Sequence, residues 1–460
     1  MSIRHEIAAF CAKMTFDALP DEIVQFTKVC LMDQLCLMVA GTQVYSEDYP
    51  GLAGFITNIG GREESTIVGL EGKIPCLNAT LVDTAIGIIT KFDAVHKTTI
   101  RHLPAALLPA MIAVAESRKS SGRDLILAIV VGAEVMVRFG ISLGARPTYS
   151  RGFHPTSVCA PFGCATGAGK LLGLTESGLA EALSIAAVQA SGSSVWAGSI
   201  QPATFSFQIG KAAQSGVMAA MLAETGFSGF DMIFEDERGF LDAYSENPDP
   251  TKLTDGLGTR YEIKELGFKR FCVGTFLMTS IEALLDVLNA HNITPDMIES
   301  IAVRLPTVVM PLVGTPEFPS NRSSVSVNTR YVLAVMTYMG NDAVYDLALS
   351  GSENRQDPRI FDLYKRISVI GDAELDKVFP EKKSCIVTIE TKDGRQFSER
   401  NDGPFKGDPD NPLSERDVEA KFYKIATPQL GRERVERIAT GIRELDKLDD
   451  LSKLIESLTF

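Results

Sequence analysis

The feature that most constrains the fold is a run of small residues at 161–172, PFGCATGAGKLL. The distance between two packed helices depends on the side chains at their contact, so small residues allow a close approach. The small residues of this run are Gly163, Ala165, Gly167, Ala168 and Gly169. The run therefore predicts a helix that packs closely against neighbouring helices.

Apolar residues recur at helical spacing through most of the first 265 residues, which predicts further helices. The predicted helical segments are 1–40 (interrupted at Pro20), 77–91, 104–117, 124–140, 175–189 and 211–225. Pro104 suits the first turn of its helix, and the polar residues at 120–124 are typical of a helix start. The first part of the chain is thus predicted to be all-α.

The pattern changes after about residue 265. Strands are predicted at 298–305 and at 385–391, the second leading through a hairpin turn at 392–395 into a strand that ends near Glu399. Helices at 275–290 and 327–339 lie among these strands, residues 401–412 are a connector, and residues 413–460 are again helical.

The predicted fold class is mainly α, with two domains. Residues 1–267 and the C-terminal helices of 401–460 form a large all-α domain, and residues 268–400 form a smaller inserted α+β domain. A chain of 460 residues is longer than one hydrophobic core usually supports, which agrees with this division.

Charge and cysteine usage exclude several classes of protein. The formal net charge of −13 disfavours binding to nucleic acid or to an acidic membrane. The eight cysteines form no CxxC pair and no Cys/His zinc pattern, so no metal is expected. The N-terminus lacks the apolar region of a secretory signal, and the apolar run at 125–133 is too short to span a bilayer. The sequence therefore predicts a cytoplasmic protein.

Three of the five histidines lie in two short polar segments beside apolar helices. His154 follows Arg151 and precedes Pro155, which should begin a helix. A helix start favours anions, so this junction suits a carboxylate, with histidine as an acid or base. The alternative is a histidine that only holds a loop in place.

The second segment contains Asp93, His96, Thr98 and His102. A carboxylate and an imidazole in one pocket can remove a proton from carbon and stabilise the resulting charge. The alternative is a solvated loop with ordinary hydrogen bonds.

Two isolated residues are further candidates. Lys269, near the predicted domain joint, is a candidate cation for a carboxylate, although Lys/Arg pairs are also common on surfaces. Tyr149 offers a hydroxyl for acid/base or orienting work, against the alternative of simple packing.

The chain resembles the MmgE/PrpD family, which includes 2-methylcitrate dehydratases, cis-aconitate decarboxylases and iminodisuccinate epimerases. The resemblance is carried by RGFHPTSVCAPFGCATGAGKLLGL, AEALSIAAVQASG and IGKAAQSGVMAAMLAETGFSG, and it extends from LMDQLCLMVAG to GDPDNPLSERDVEAKF. It implies a large all-α domain with a smaller α+β domain, a homodimer, an active site between the domains, and chemistry without an organic cofactor.

The resemblance also implies roles for particular residues. Asp93, His102, His154 and Lys269 match family positions at the active site. Three departures from the family matter. Phe205 stands where decarboxylase-like members have lysine, and Met310 stands where a tyrosine is expected. Ala94 replaces a second aspartate, and the histidines expected a few residues after Lys269 are absent, with Gly274 nearby.

These departures bear on the substrate. Losing a lysine and a tyrosine removes a charged contact and a hydroxyl donor for carboxylate oxygens, and a buried unpaired charge is costly. We therefore expect an acid with fewer carboxylates than 2-methylcitrate or cis-aconitate, or with a more apolar arm.

The predicted activity is cofactor-free acid/base chemistry at carbon next to a carboxylate of a small polycarboxylic acid. Loss of water, as in a hydro-lyase (dehydratase), is the first choice; epimerisation is the runner-up and decarboxylation the third. The catalytic candidates are His102, His154, Asp93, Lys269 and Tyr149, and the substrate-binding candidates are Arg151, Lys269, Thr98 and His96. Outside enzymes, a non-catalytic dimeric binding protein is the alternative.

Overall fold

A computed structural model of the chain describes residues 2–48, 51–195, 203–320, 322–341, 353–379 and 381–460. Across them the fold is mainly α, with one four-stranded sheet and two short strand pairs. The predicted fold class is confirmed.

The described part of the first 267 residues contains eleven α-helices. They are α1 (Ile3–Lys13), α2 (Asp21–Asp48), α3 (Gly51–Ile59), α4 (Cys76–Ile88), α5 (Leu103–Arg118), α6 (Gly122–Leu143), α7 (Ala145–Ser150), α8 (Pro155–Leu171), α9 (Glu176–Ala187), α10 (Thr204–Glu224) and α11 (Phe240–Tyr244).

Later helices are shorter until the C-terminal end of the chain. They are α12 (Met278–Ala290), α13 (Met310–Val313), α14 (Arg322–Val325), α15 (Thr329–Met339), α16 (Glu353–Gln356), α17 (Pro358–Lys365), α18 (Ala373–Asp376), α19 (Glu415–Leu430), α20 (Arg432–Arg443) and α21 (Ser452–Glu456). Single 3-10 turns lie at Phe16–Ala18, Pro250–Leu253, Glu262–Glu265, Thr275–Leu277, Pro295–Met297, Thr307–Val309 and Leu445–Lys447.

The small-residue run lies in α8, and it packs closely against α6, as predicted. A side-chain carbon added at Gly163 would lie 2.7 Å from the carbonyl oxygen of Gly132, and one added at Gly132 would lie 2.7 Å from that of Gly163. Both glycines are therefore required by the approach of two helix backbones.

Local capping signals placed several helix starts correctly. Ser121 and Asp124 form a capping box at α6, and Ser414 with Asp417 forms another at α19. Other bounds differ from prediction: α4 ends at Ile88, before a turn, and α10 begins at Thr204.

The four-stranded sheet has the order β6-β5-β7-β8, formed by β5 (Ile298–Pro306), β6 (Ile367–Asp372), β7 (Cys385–Thr391) and β8 (Gln396–Asn401). The β7–β8 hairpin is antiparallel, as predicted, and β5 also pairs antiparallel with β7. Strand β6 pairs parallel with β5, and sequence analysis missed it. Its residues are mostly part-exposed, without the alternation that marks a half-buried strand.

Two short strand pairs complete the sheet structure. Strands β1 (Ser65–Thr66) and β2 (Lys73–Ile74) form one antiparallel pair. In the other, β3 (Val95–His96) pairs with β4 (Leu266–Gly267), so the segment that follows Asp93 lies beside the one that leads to Lys269.

Two helical segments, 21–46 and 122–143, are long and apolar enough to cross a membrane. Their most apolar windows are 83% and 89% buried inside the protein, which is the environment of core helices. The apolar run at 125–133 lies inside the second of these segments, whose helix extends beyond the run on both sides.

Candidate active site

Asp93 and His102 form a buried carboxylate–imidazole pair. Asp93 follows the turn after α4, and His102 directly precedes α5. The His102 Nδ1 lies 2.7 Å from the Asp93 Oδ2; the Asp93 side chain is fully buried and that of His102 is 18% exposed. Burial alone would raise the pKa of Asp93, but the charges of His102 and Lys269 and the hydrogen bond from His102 lower it below its ordinary value.

An ionised carboxylate only accepts hydrogen bonds, so the proton of this bond belongs to the imidazole Nδ1. In the neutral ring, Nε2 is then the basic nitrogen. The pair has the arrangement of an acid/base histidine oriented by aspartate.

His102 lines a cavity of about 80 Å³ between the helical part of the chain and the residues after β4. The cavity has room for several water molecules, or for a small molecule in their place, since one water needs roughly 10–15 Å³ on this scale. Its lining residues are Lys91, Ile100, His102, Tyr149, Phe205, Lys269, Gly274, Thr275, Phe276, Leu312, Val313 and Val327. Basic groups thus face an otherwise largely apolar wall.

Two buried lysines line the cavity with His102. Lys269 is 2% exposed, and its Nζ donates to the carbonyl oxygen of Lys91 at 2.5 Å. Burial lowers the pKa of Lys269, while Asp93 and Cys272 oppose that shift. Burial and the charge of Lys269 lower the pKa of Lys91 to about 7, with Cys272 opposing them.

A second buried ion pair supports the turn that carries these groups. Lys421, on α19, donates to the Asp33 Oδ1 at 2.7 Å and to the carbonyl oxygen of Phe92 at 3.0 Å. Lys269 and Lys421 therefore hold the carbonyl groups of two successive residues, 91 and 92. Sequence analysis missed Lys91, Asp33 and Lys421.

His154 lies behind the cavity wall. It is 1% exposed, its Nδ1 is 2.9 Å from the Ser157 Oγ, and its ring centroid lies 5.6 Å from that of Phe205. Burial, helped by His102 and Arg101, lowers the pKa of His154 well below its ordinary value, so the ring is neutral. Because Phe205 lines the cavity and His154 does not, the structure does not bring both predicted histidines to one reacting atom.

Tyr149 does line the cavity. Burial raises its pKa to about 12, although Arg101 opposes the shift. The hydroxyl is thus protonated near neutral pH and is a hydrogen-bond donor to a ligand.

Three predicted substrate-binding residues lie elsewhere. Arg151 and Thr98 are exposed, and neither lines the cavity, because each lies on an outward turn. His96 is buried, but its Nδ1 accepts from the backbone N–H of Thr99 at 3.2 Å, and its Nε2 lies 3.8 Å from the Glu262 Oε2. The structure therefore does not bring these three residues together with His102 in the lining of the cavity.

The two departures at 205 and 310 have different outcomes. Phe205 lines the cavity as an apolar wall, at a position where the resemblance implied lysine. Met310 packs against Gly314 and Gly371 instead, and the nearby Leu312 and Val313 face the cavity. The loss of a polar group at 310 is therefore not what makes this wall apolar.

A larger cavity, of about 730 Å³, lies between α2, α3 and the C-terminus. Among its described lining residues, Glu71 is the only charged one. It has no acid/base pair, so the smaller cavity is the better candidate for an active site. Within the described parts of the chain, no group of three or more His, Cys, Asp or Glu side chains is arranged to hold a metal ion.

Comparison with known families decides the relationship. The MmgE/PrpD N-terminal domain matches residues 5–253, and the MmgE/PrpD C-terminal domain matches residues 271–447. The chain belongs to the MmgE/PrpD family.

This MmgE/PrpD protein is similar along nearly its whole length to curated enzymes. It is 29% identical to a cis-aconitate decarboxylase of Mus musculus, covering 99% of this chain and 93% of the relative. It is 29% identical to that of Homo sapiens (98% and 94%) and 24% identical to one of Aspergillus terreus (99% and 96%). The relationship therefore covers both family domains.

Proposed function

We propose that the protein is a lyase that acts at the carbon next to a carboxylate of a small carboxylic acid, with His102 as the proton-transfer group. The observation that carries the proposal is the Asp93–His102 pair, 2.7 Å apart, at the edge of a cavity that also contains the Lys269 ammonium. Such chemistry needs an acid/base group that moves the proton and a cation. The cation stabilises the negative charge that develops when the bond to carbon breaks.

His102, Asp93 and Lys269 each have a distinct role in the proposed reaction. His102 Nε2 exchanges the proton with the substrate carbon. Asp93 accepts from Nδ1, which keeps the ring in the productive tautomer and stabilises the imidazolium when it forms. Lys269 binds the carboxylate beside the reacting carbon. In loss of water this carboxylate takes up the developing negative charge and the ammonium stabilises it; in loss of carbon dioxide the same carboxylate departs, and the ammonium stabilises the charge on the carbon that it leaves.

Loss of carbon dioxide is the reaction that the cavity supports best. In this reaction the bond from carbon to the departing carboxylate breaks, the electron pair stays on carbon, and the imidazolium of His102 donates its proton there. An apolar wall favours the step because charge is concentrated in the carboxylate and dispersed in the transition state. Phe205, Phe276 and Val327 form part of this wall, and the relatives above bear the name decarboxylase.

Loss of water, the first choice from sequence, is the second candidate, and Tyr149 favours it. His102 would take the proton from carbon, the carbon–oxygen bond would break, and the Tyr149 hydroxyl would donate to the departing hydroxide. Tyr149 lines the cavity and is protonated near neutral pH, which a donor requires.

The proposed substrate has fewer carboxylates than a tricarboxylic acid, in keeping with the apolar side chain at 205. We also expect a cytoplasmic homodimer. Light scattering of the purified protein measures its molar mass and so tests the oligomeric state. No organic cofactor takes part in the proposed chemistry.

Proton NMR in deuterium oxide tests the activity. The enzyme is incubated with a panel of saturated, unsaturated and hydroxylated mono-, di- and tricarboxylates. For one acid, the expected result of loss of carbon dioxide is a product with deuterium on the carbon that the carboxylate left. The expected result of loss of water is an unsaturated product, with deuterium entering the substrate at the carbon next to a carboxylate. The His102→Asn variant is the matched control and should lose the exchange.

The contrary result is also defined. A folded dimer that binds acids in thermal-shift assays and exchanges no deuterium with any of them would make the protein a binding member of the family. Exchange at full rate in the His102→Asn variant would remove His102 from its proposed role.

A further inference from the structure

Lys91 is a cavity residue that the reaction above does not use. It lies in the turn after α4, is 5% exposed, and lines the cavity together with Lys269 and His102. Its Nζ lies 5.4 Å from the centroid of the Phe205 ring. The long side chain thus extends along the apolar wall.

The backbone at Lys91 is held in an unusual conformation. Its φ is 55°, in the left-handed region that non-glycine residues rarely adopt. Lys269 holds the Lys91 carbonyl group from one side, and Lys421 holds the next carbonyl group, at Phe92. Such strain persists where the surroundings fix it, and it often accompanies a functional site.

Two ammonium groups in one buried cavity disfavour each other's charge, and an anion in the cavity relieves that repulsion. Among the described carboxylates, Asp33 accepts from Lys421 and Asp93 accepts from His102. A carboxylate ligand that reached both Lys91 and Lys269 would be bound by charge as well as by the apolar wall.

Arg101 is another buried cation nearby, and its geometry does not suit this task. Its Nη1 donates to the carbonyl oxygen of Thr99 at 2.6 Å, and its Nε donates to the Cys159 Sγ at 3.4 Å. It does not line the cavity, whereas Lys91 does.

We propose that Lys91 binds a second carboxylate of the substrate, so that the enzyme selects a dicarboxylic acid whose apolar middle lies against Phe205. Lys269 holds the carboxylate next to the reacting carbon, and Lys91 holds the distant one. This inference rests on the proposed function for the identity of the reacting end, and it makes Lys91 a specificity-determining residue.

Calorimetric titration of the intact enzyme tests the role of Lys91. The probes are succinate and butyrate, which have equal chain length and differ by one carboxylate. In Lys91→Met, succinate affinity should fall by about tenfold to a hundredfold, the effect of losing a charged contact, while butyrate affinity changes little. Lys91→Arg keeps the charge and should retain most of the affinity for succinate.

Lys377→Met is the matched control, because Lys377 is an exposed lysine paired with Glu374 on α18. It should leave both affinities unchanged. Thermal melting of each variant verifies that it is folded. Equal loss of affinity for both acids in Lys91→Met, or no loss for either, would overturn the assignment.

The two proposals fail in different ways. The first outcome is that Lys91→Met loses affinity for succinate alone and that the wild type exchanges no deuterium. The dicarboxylate site would then stand, and the proposed lyase activity would be wrong. The second outcome is that the wild type exchanges deuterium and that Lys91→Met prefers succinate over butyrate as strongly as the wild type does. The proposed activity would then stand, and Lys91 would have no part in substrate selection.

Discussion

Asp33 on α2 and Lys421 on α19 form a buried ion pair, 2.7 Å between Oδ1 and Nζ, that joins segments 388 residues apart in the chain. Lys421 also donates to the carbonyl oxygen of Phe92, one residue before Asp93. Helix α19 therefore positions the turn that carries Asp93 without lining the cavity, and Lys421 is a positioning residue.

Removing the lysine should destabilise the protein and impair the site together. In Lys421→Met the Asp33 carboxylate stays buried without its cation, which costs about 3–5 kcal/mol in the free energy of unfolding. Urea denaturation measures this loss. The double variant Asp33→Asn with Lys421→Met should recover much of the stability, because it leaves no unpaired charge. Equal stability of the single and double variants would contradict the account.

Replacing Asp93 by asparagine should slow proton transfer while the fold persists. The amide no longer requires the proton on Nδ1 and no longer stabilises the imidazolium, so the rate of deuterium exchange should fall by about a hundredfold to ten-thousandfold. The rate is read by proton NMR in deuterium oxide. Asp83, buried on α4 but accepting from the Val68 N–H, is the matched control, and Asp83→Asn should change the exchange rate far less. A wild-type rate in Asp93→Asn would show that the pair is structural.

The site residues that the sequence predicted are those whose neighbours in the chain indicate their position. Asp93 and His102 lie nine residues apart in one polar segment, and Pro104 marks the helix that follows His102. Lys269 was a candidate from its place near the predicted domain joint and from the family resemblance, and it does line the cavity. The close packing of α6 and α8 followed from Gly163 and its neighbours.

The missed residues depend on contacts that no local pattern contains. The Asp33–Lys421 pair exists only because α19 returns to α2. Lys91 had one usable signal, its position at the end of an apolar helix directly before Phe92 and Asp93, but the direction of its side chain depends on a left-handed turn.

Three predicted substrate-binding residues lie outside the cavity lining although their signals in the sequence are local. Arg151, Thr98 and His96 have suitable chemistry and lie close in sequence to the pair or to His154. Turn geometry directs Arg151 and Thr98 outward, while His96 bonds to its own loop at Thr99. Proximity in the sequence therefore did not distinguish the residues that line the cavity from the other residues of the same polar segments.

Replacing Tyr149 by phenylalanine distinguishes the two reactions. Loss of carbon dioxide needs no donor to a departing hydroxide, so the Tyr149→Phe rate should stay within about tenfold of wild type. Loss of water would slow by about a hundredfold or more without this acid. Product formation by NMR with the identified substrate measures the effect. Tyr244, whose hydroxyl donates to the Ala190 carbonyl oxygen outside the cavity, is the matched control.

The affinity for a dicarboxylate should fall as the pH rises through the pKa of Lys91, which is lowered to about 7. Below that pH Lys91 is charged and attracts a carboxylate; above it the free enzyme must take up a proton to bind, so affinity falls by up to about tenfold per pH unit.

Other titratable groups line the same cavity or lie beside it. Lys269, with its own lowered pKa, Tyr149, whose pKa is raised to about 12, and His102 line it. Cys272, whose pKa is raised to about 12, and Asp93 act on Lys269 from behind the lining. All of them remain in Lys91→Met, so the difference between its pH profile and that of wild type isolates Lys91. Succinate titrations from pH 6 to 9 should show a steeper loss in wild type than in Lys91→Met. Parallel profiles would mean that the pH dependence belongs to groups other than Lys91, and that Lys91 does not bind the second carboxylate.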